Sequence, residues 1–158
     1  MNVLVLNTPY LPMYSRASRS PAVTKSSTLY YPYWLAYSVG VLESDGFTVK
    51  FLDAPAMGLD KQQVYEIAKQ FKPALTVVDT TTSSIYSDVE VAATIHDLTG
   101  SRTIMVGTHA SATAEETLWL NLKIDAVARG EYDLRCRKTR RKTSWVRSSA
   151  SSRWVTVR

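Results

Sequence analysis

The chain has 158 residues, 45% of them hydrophobic, with a formal net charge of +5 and one cysteine. That length suits one domain, and Cys136 alone rules out an internal disulfide framework or a cysteine-only metal cluster. The longest apolar runs fall far short of the ~20 residues of a membrane span. The charge is unevenly spread: residues 1–133 hold 10 Lys+Arg against 14 Asp+Glu, whereas residues 134–158 hold 9 Lys+Arg and no acid. The basic character therefore belongs to the last segment and not to the body. The N-terminus has no basic n-region and no cleavage signal, so a cytoplasmic protein is expected.

In chain order, Val3-Leu4-Val5-Leu6 is a short apolar run closed by Asn7-Thr8-Pro9, a buried parallel strand. Residues 8–33, with four prolines and no clear period, read as a long loop, which in a compact domain is usually functional. Trp34 to Glu43 carries apolar residues at helical spacing and stops at Asp45-Gly46. Phe47–Leu52 reads as a second strand ending at Asp53-Ala54-Pro55. Asp60 can cap a helix to about Phe71 with Val64, Ile67, Ala68 and Phe71 on one face.

Leu75–Val78 reads as a third strand, followed by the hydroxyl-rich loop Thr80-Thr81-Thr82-Ser83-Ser84. A helix is predicted from about Tyr86 to Leu98, closed by Gly100. Thr103–Val106 is a fourth strand, ending in Gly107-Thr108-His109. A short helix opens at Ala114-Glu115-Glu116, and Ile124–Ala128 is a fifth strand closed by Arg129-Gly130-Glu131. Five strands alternating with four helices predict an α/β, flavodoxin-like three-layer fold. Its parallel sheet would have order 2-1-3-4-5, with helices on both faces and right-handed crossovers.

In open α/β sheets, ligands bind outside the carboxyl ends of the strands. Those ends are Asn7-Thr8-Pro9-Tyr10, Asp53-Ala54, Thr80-Thr81-Thr82-Ser83, Gly107-Thr108-His109-Ala110-Ser111 and Arg129-Gly130-Glu131. Small, polar and hydroxyl-rich, they suit a flat polar ligand, since glycine admits close approach and hydroxyls bond its periphery. Taken singly, each is an ordinary turn. No G-x-G-x-x-G follows the first strand and no G-x-x-x-x-G-K-[ST] occurs, which disfavours dinucleotide or nucleoside-triphosphate binding through those loops. A phospho-acceptor domain would want clustered acids where Asn7 and Thr8 stand.

The ordered pieces Val3–Tyr10, Tyr31-Pro32-Tyr33-Trp34-Leu35-Ala36-Tyr37, Gly46–Val49, Leu52-Asp53-Ala54, Phe71–Leu75, Val106–Ser111 and Ile124–Glu131 carry a resemblance. Together they are similar to the N-terminal cobalamin-binding domain of cobalamin-dependent radical S-adenosylmethionine enzymes, over residues 1–133. The resemblance implies a corrin over the C-terminal strand edge, with its nucleotide tail between the third and fourth strands. Thr80, Thr81, Thr82 and Ser83 would contact that tail from one side, and Gly107, Thr108, His109, Ala110 and Ser111 from the other. Arg129, Gly130 and Glu131 would sit near the rim, Thr8, Pro9 and Tyr10 under the corrin face, and Asp53 at the second strand end.

Classical cobalamin modules place a cobalt-ligating histidine in D-x-H-x-x-G after the first strand. This chain has Asn7-Thr8-Pro9-Tyr10-Leu11-Pro12 there, so no protein metal ligand is assigned. His96 falls inside a predicted helix as a structural or solvated residue, and His109 suits contact with the nucleotide tail or simply a turn. The family's catalytic half holds a [4Fe–4S] cluster and S-adenosylmethionine through C-x-x-x-C-x-x-C, which Cys136 alone cannot supply. The chain is thus expected to hold cobalamin without being catalytic, its partner being the missing radical domain.

The segment 134–158 has seven arginines, two lysines, five serines and two tryptophans. One reading is a nucleic-acid arm with Trp145 and Trp154 for stacking; another is a disordered extension. The reading that fits best is out-of-frame sequence, a frameshift or truncation after Asp133. A flavodoxin-like module for another flat ligand stands as the rival to the cobalamin reading.

Overall fold

A computed structural model describes residues 1–16 and 28–130, and the backbone alone at 22–23, 145–147 and 154–156. The chain opens with strand β1 (Asn2–Asn7), then a small antiparallel hairpin of β2 (Tyr14–Ser15) and β3 (Ala22–Val23). Helix α1 (Tyr33–Ser44), strand β4 (Thr48–Asp53), helix α2 (Ala54–Met57) and helix α3 (Lys61–Phe71) follow. Next come β5 (Leu75–Thr80), α4 (Ile85–Thr99), β6 (Arg102–Gly107), α5 (Thr108–Ala112), α6 (Ala114–Leu120) and β7 (Ala126–Ala128). Two short strands, β8 (Trp145–Arg147) and β9 (Trp154–Thr156), lie within the basic segment.

The five strands of the body pair in parallel in the spatial order β4-β1-β5-β6-β7, which is the expected 2-1-3-4-5. Strand β9 runs parallel to β7 and β8 runs antiparallel to β9, so the sheet continues past the body at these six residues. The composition of the segment had led to an expectation of disorder; the rest of it lies outside the described residues.

Both faces of the sheet are covered, as the unbroken apolar strands require. Alternate residues point opposite ways. Leu4, Leu6, Val78, Met105 and Val127 join Val64 and Ala68 of α3, Ala92 and Ile95 of α4 and Leu118 of α6 in one core. Val3, Val5, Val77, Ile104 and Val106 join Leu35 and Leu42 of α1 in the other. Trp34, counted with the apolar positions of that helix, is exposed instead.

Local chemistry explains the ends. The Asp60 carboxylate accepts from the Gln63 amide (2.8 Å) while the Gln63 side chain accepts from the Asp60 amide (3.0 Å), a full capping box on α3. Gly100 closes α4 in the left-handed conformation at φ 68°. The fifth strand is shorter than expected: before it, Asp125 donates its amide to the Thr103 carbonyl (3.1 Å) but meets the Thr103 amide with its side-chain carboxylate (2.7 Å). Helices α2 and α5 are single turns, too short to leave a helical period in the sequence. Among the described residues no helix is long and apolar enough to cross a membrane.

Candidate functional site

The parallel order puts the topological switch point between β1 and β5, where the crossovers leave in opposite directions. Thr8 leaves β1 there, and Thr81, Ser84 and Asp88 leave β5 and open α4. This crevice is filled by the chain itself. Arg16, from the long first loop, reaches across it and pairs end-on with Asp88: Nη1 donates to Oδ2 and Nη2 to Oδ1, both at 2.8 Å. Their side chains are only 1% and 0% exposed. Arg16 also donates to the Thr8 carbonyl (3.0 Å), the Thr8 hydroxyl and the Ser84 hydroxyl. Thr8 and Ser84 in turn donate to the two oxygens of Asp88.

A buried ion pair of this kind is held firmly because breaking it from one side leaves an uncompensated charge, at about 3–5 kcal/mol. Burial pushes the Asp88 carboxyl above its ordinary range, while the Arg16 charge and the bonds from Arg16, Thr8 and Ser84 pull it back. Only Nε of Arg16 has no partner among the described residues.

Tyr14 sits beside this strut. Its ring lies 5.7 Å from the Arg16 guanidinium carbon and meets Tyr10 edge-on at 5.0 Å. Its hydroxyl lies 2.6 Å from the Ser83 hydroxyl and 3.2 Å from that of Thr81. These are neutral bonds worth about 0.5–1.5 kcal/mol each, weaker than the charge-assisted bonds of Arg16.

The ends of β5 and β6 approach closely. Gly107 stands at φ 100°, and a Cβ there would lie 2.4 Å from Asp79 Oδ1 and 2.5 Å from the Thr80 carbonyl oxygen. Glycine is therefore required by both conformation and space. Thr80 donates to the Val106 carbonyl (3.0 Å) and knits the two strands. Burial pushes the Asp79 carboxyl up to about 7; Arg16 and the Thr80 amide oppose the shift and the nearby Asp88 charge adds to it. Asp79 nevertheless keeps a partial opening to solvent.

Around this junction runs an open polar rim. Thr82, Ser83 and Thr108 are exposed. His109 bridges the two loops, its Nδ1 3.3 Å from the Thr82 hydroxyl and its Nε2 3.1 Å from that of Thr113. The Ser111 carbonyl accepts from Arg129 Nε (3.0 Å) and its hydroxyl accepts from the Gly130 amide (2.9 Å), which joins the β6 and β7 ends.

The expected site residues thus divide. Thr82, Ser83, Gly107, Thr108, His109, Ser111, Arg129 and Gly130 share the rim over β5, β6 and β7, with Pro9 and Tyr10 half-buried at the β1 end. Thr8, Thr80 and Thr81 are buried and already bonded to protein, and Ala110 is a core residue. Asp53 lies away from the rim on the outer strand β4. There it accepts from the Asn7 side chain (2.8 Å), and burial raises its carboxyl against the bonds from Asn7 and the Ala56 amide. Glu131 lies outside the described residues. His96 is in the last turn of α4, its Nδ1 3.0 Å from the Ser101 carbonyl. Among the described residues no three His, Cys, Asp or Glu side chains gather as a metal site.

Sequence reasoning missed Tyr14, Arg16, Asp79, Ser84 and Asp88. One signal was present: Asp88 shares a helical stripe with Val91, Ala92 and Ile95, and an acid on a core face needs a buried cation or donors.

An open parallel sheet with a polar, hydroxyl-lined rim at its carboxyl edge and the switch point closed from within defines an α/β ligand-binding domain. The model of the B12 binding domain family matches residues 19–137, most of the chain, and the chain belongs to that family. The match begins after Tyr14 and Arg16. No curated protein matches the chain.

The residues present fit a corrinoid at the β5–β6 edge. Gly107 keeps that edge free of a side chain, the rim offers hydroxyls and an imidazole, and at the neighbouring β1 end the Asn7 side-chain Oδ1 is buried with no partner among the described residues.

Proposed function

We propose that the body, residues 1–133, holds cobalamin at the β5–β6–β7 rim as the binding half of a cobalamin-dependent radical S-adenosylmethionine enzyme of the methyl-transferring type. The observation that carries the cobalamin part is the family match on a sheet whose rim presents Thr82, Ser83, Thr108, His109 and Ser111 together; the radical S-adenosylmethionine part rests on the resemblance of the ordered sequence pieces. Those residues would hold the nucleotide tail, with Arg129, Gly130 and Glu131 at the margin. Tyr10 and Pro9 would meet the corrin from the β1 end, and Thr8 would serve by fixing the loop through Arg16 and Asp88. Bound cobalamin would supply a cobalt centre able to accept and donate a methyl group. The iron–sulfur chemistry that activates a carbon belongs to a domain outside this sequence, and the cytoplasm, where thiols stay reduced, suits such a partner.

Two further features support the reading. The switch-point crevice, where a flavin-like ligand would sit, is shut by the Arg16–Asp88 pair, which disfavours the rival flat-ligand module. Tyr30, Tyr31, Tyr33, Trp34 and Tyr37 are exposed where α1 begins, beside the carboxyl edge, and would give the partner domain an apolar surface. The basic segment after Asp133 we read as out-of-frame sequence; a gene with no C-x-x-x-C-x-x-C in any downstream frame would count against that. The test of binding is direct. Full-length protein mixed with hydroxocobalamin should carry the corrin chromophore through gel filtration, and a colourless protein peak would overturn the proposal.

A further inference from the structure

The Tyr14 hydroxyl occupies the Ser83 and Thr81 hydroxyls at 2.6 and 3.2 Å. Ser83 is one of the groups that the cobalamin reading assigns to the nucleotide tail, and Thr81 lies just beneath it. Tyr14 is 3% exposed, so it is packed beneath the Ser83 and Thr81 hydroxyls and is not a solvated side chain. Its neighbour Arg16, two residues on, is pinned in the switch point by Asp88, Thr8 and Ser84. Ser15, between them, accepts from the Tyr30 amide (3.1 Å) and ties the hairpin to the segment entering α1. The loop is therefore anchored at Arg16, while the Tyr14 hydroxyl is held by neutral hydroxyl contacts and its ring by burial, the edge of Tyr10 and the Arg16 guanidinium.

We infer that Tyr14 is a specificity-determining gate, hinged at Arg16, which covers the Thr81–Ser83 hydroxyls when no ligand is bound and is displaced by corrinoids that carry a nucleotide tail. The inference rests on the cobalamin reading of the rim and adds a selection rule to it. A complete cobalamin must compete with Tyr14 for those hydroxyls, whereas a corrinoid without the tail has no use for them. Tyr14 and Arg16 lie ahead of the family match, which begins at residue 19.

The experiment compares hydroxocobalamin with diaquocobinamide, which lacks the nucleotide tail, on full-length wild type and Tyr14→Phe. The variant keeps the ring and removes only the competing hydroxyl. Removal of a competing hydrogen bond should tighten hydroxocobalamin by about fivefold to tenfold and leave cobinamide unchanged. Circular dichroism of the variant matching wild type ties the change to the hydroxyl. An equal change for both corrinoids, or weaker hydroxocobalamin binding, overturns the gate while leaving the cobalamin reading intact. Failure of wild type to bind either corrinoid overturns both.

Discussion

Asp79 should make the protein less stable at neutral pH than in mild acid, and Asp79→Asn should remove that penalty. The carboxyl sits beside Gly107 at the junction of β5 and β6, and burial raises it from 3.8 to about 7. For an acid raised in the folded state, the folded protein holds the proton more tightly than the unfolded chain. Stability is therefore fullest below 3.8, declines as pH rises through the interval, and has lost its whole share above about 7. The full shift corresponds to about 4 kcal/mol at pH ~8 and about 1 kcal/mol at pH ~4.5. The carboxyl's partial opening to water reduces the larger figure, so about 2–4 kcal/mol is expected at pH ~8.

The assay is urea unfolding of wild type and variant at both pH values, followed by far-UV circular dichroism. Asp79→Asn keeps size and an acceptor for the Thr80 amide, so the difference between the two proteins isolates the charge. The variant should be clearly the more stable at the higher pH and nearly level with wild type at the lower one. A gap that stays constant between the two would refute the argument, because it would trace to packing and not to ionisation.

Gly107→Ala should cost about 3 kcal/mol or more, since it adds positive-φ strain to a clash with the Thr80 carbonyl; a thermal melt within a degree of wild type would contradict this. Arg16→Leu should cost about 3–5 kcal/mol in urea unfolding, and Arg16→Leu with Asp88→Leu should recover much of it, because the double change leaves no buried lone charge. A double variant as unstable as the single one would show that the charge is not the cause. Asp60→Ala should lose about 1 kcal/mol through the α3 cap and leave corrinoid affinity untouched, since the cap bonds are to Gln63 and not to a rim residue.

The fold was legible because each strand is an apolar run ended by a polar turn, and each long helix carries a cap or a stop such as Asp60 or Gly100. The strand order followed from those alternations alone. The rim was legible as composition, since hydroxyls and glycines at strand ends are visible in one dimension. The buried strut was not. Arg16 and Asp88 are 72 positions apart, and a charged residue in a loop reads as solvated until its partner is in view. Thr8 and Thr81 look like ligand contacts in sequence for the same reason: a hydroxyl's type does not say whether a protein group has already claimed it.

That claim on the hydroxyls reshapes the carboxyl edge. An open parallel sheet offers its ligand a crevice at the switch point, yet here it is filled by a guanidinium that donates five hydrogen bonds and a carboxylate that accepts four. A ligand would have to break a buried ion pair to enter there, while at β5–β6 it would displace only neutral contacts. On the proposed reading, the free-energy difference between those two routes would favour the neighbouring edge, where Gly107 carries no side chain and Thr82 and Thr108 are exposed. The same pair that shuts the crevice anchors the loop that carries Tyr14 to Ser83, so on the proposed reading closure of the first route and gating of the second would share one anchor.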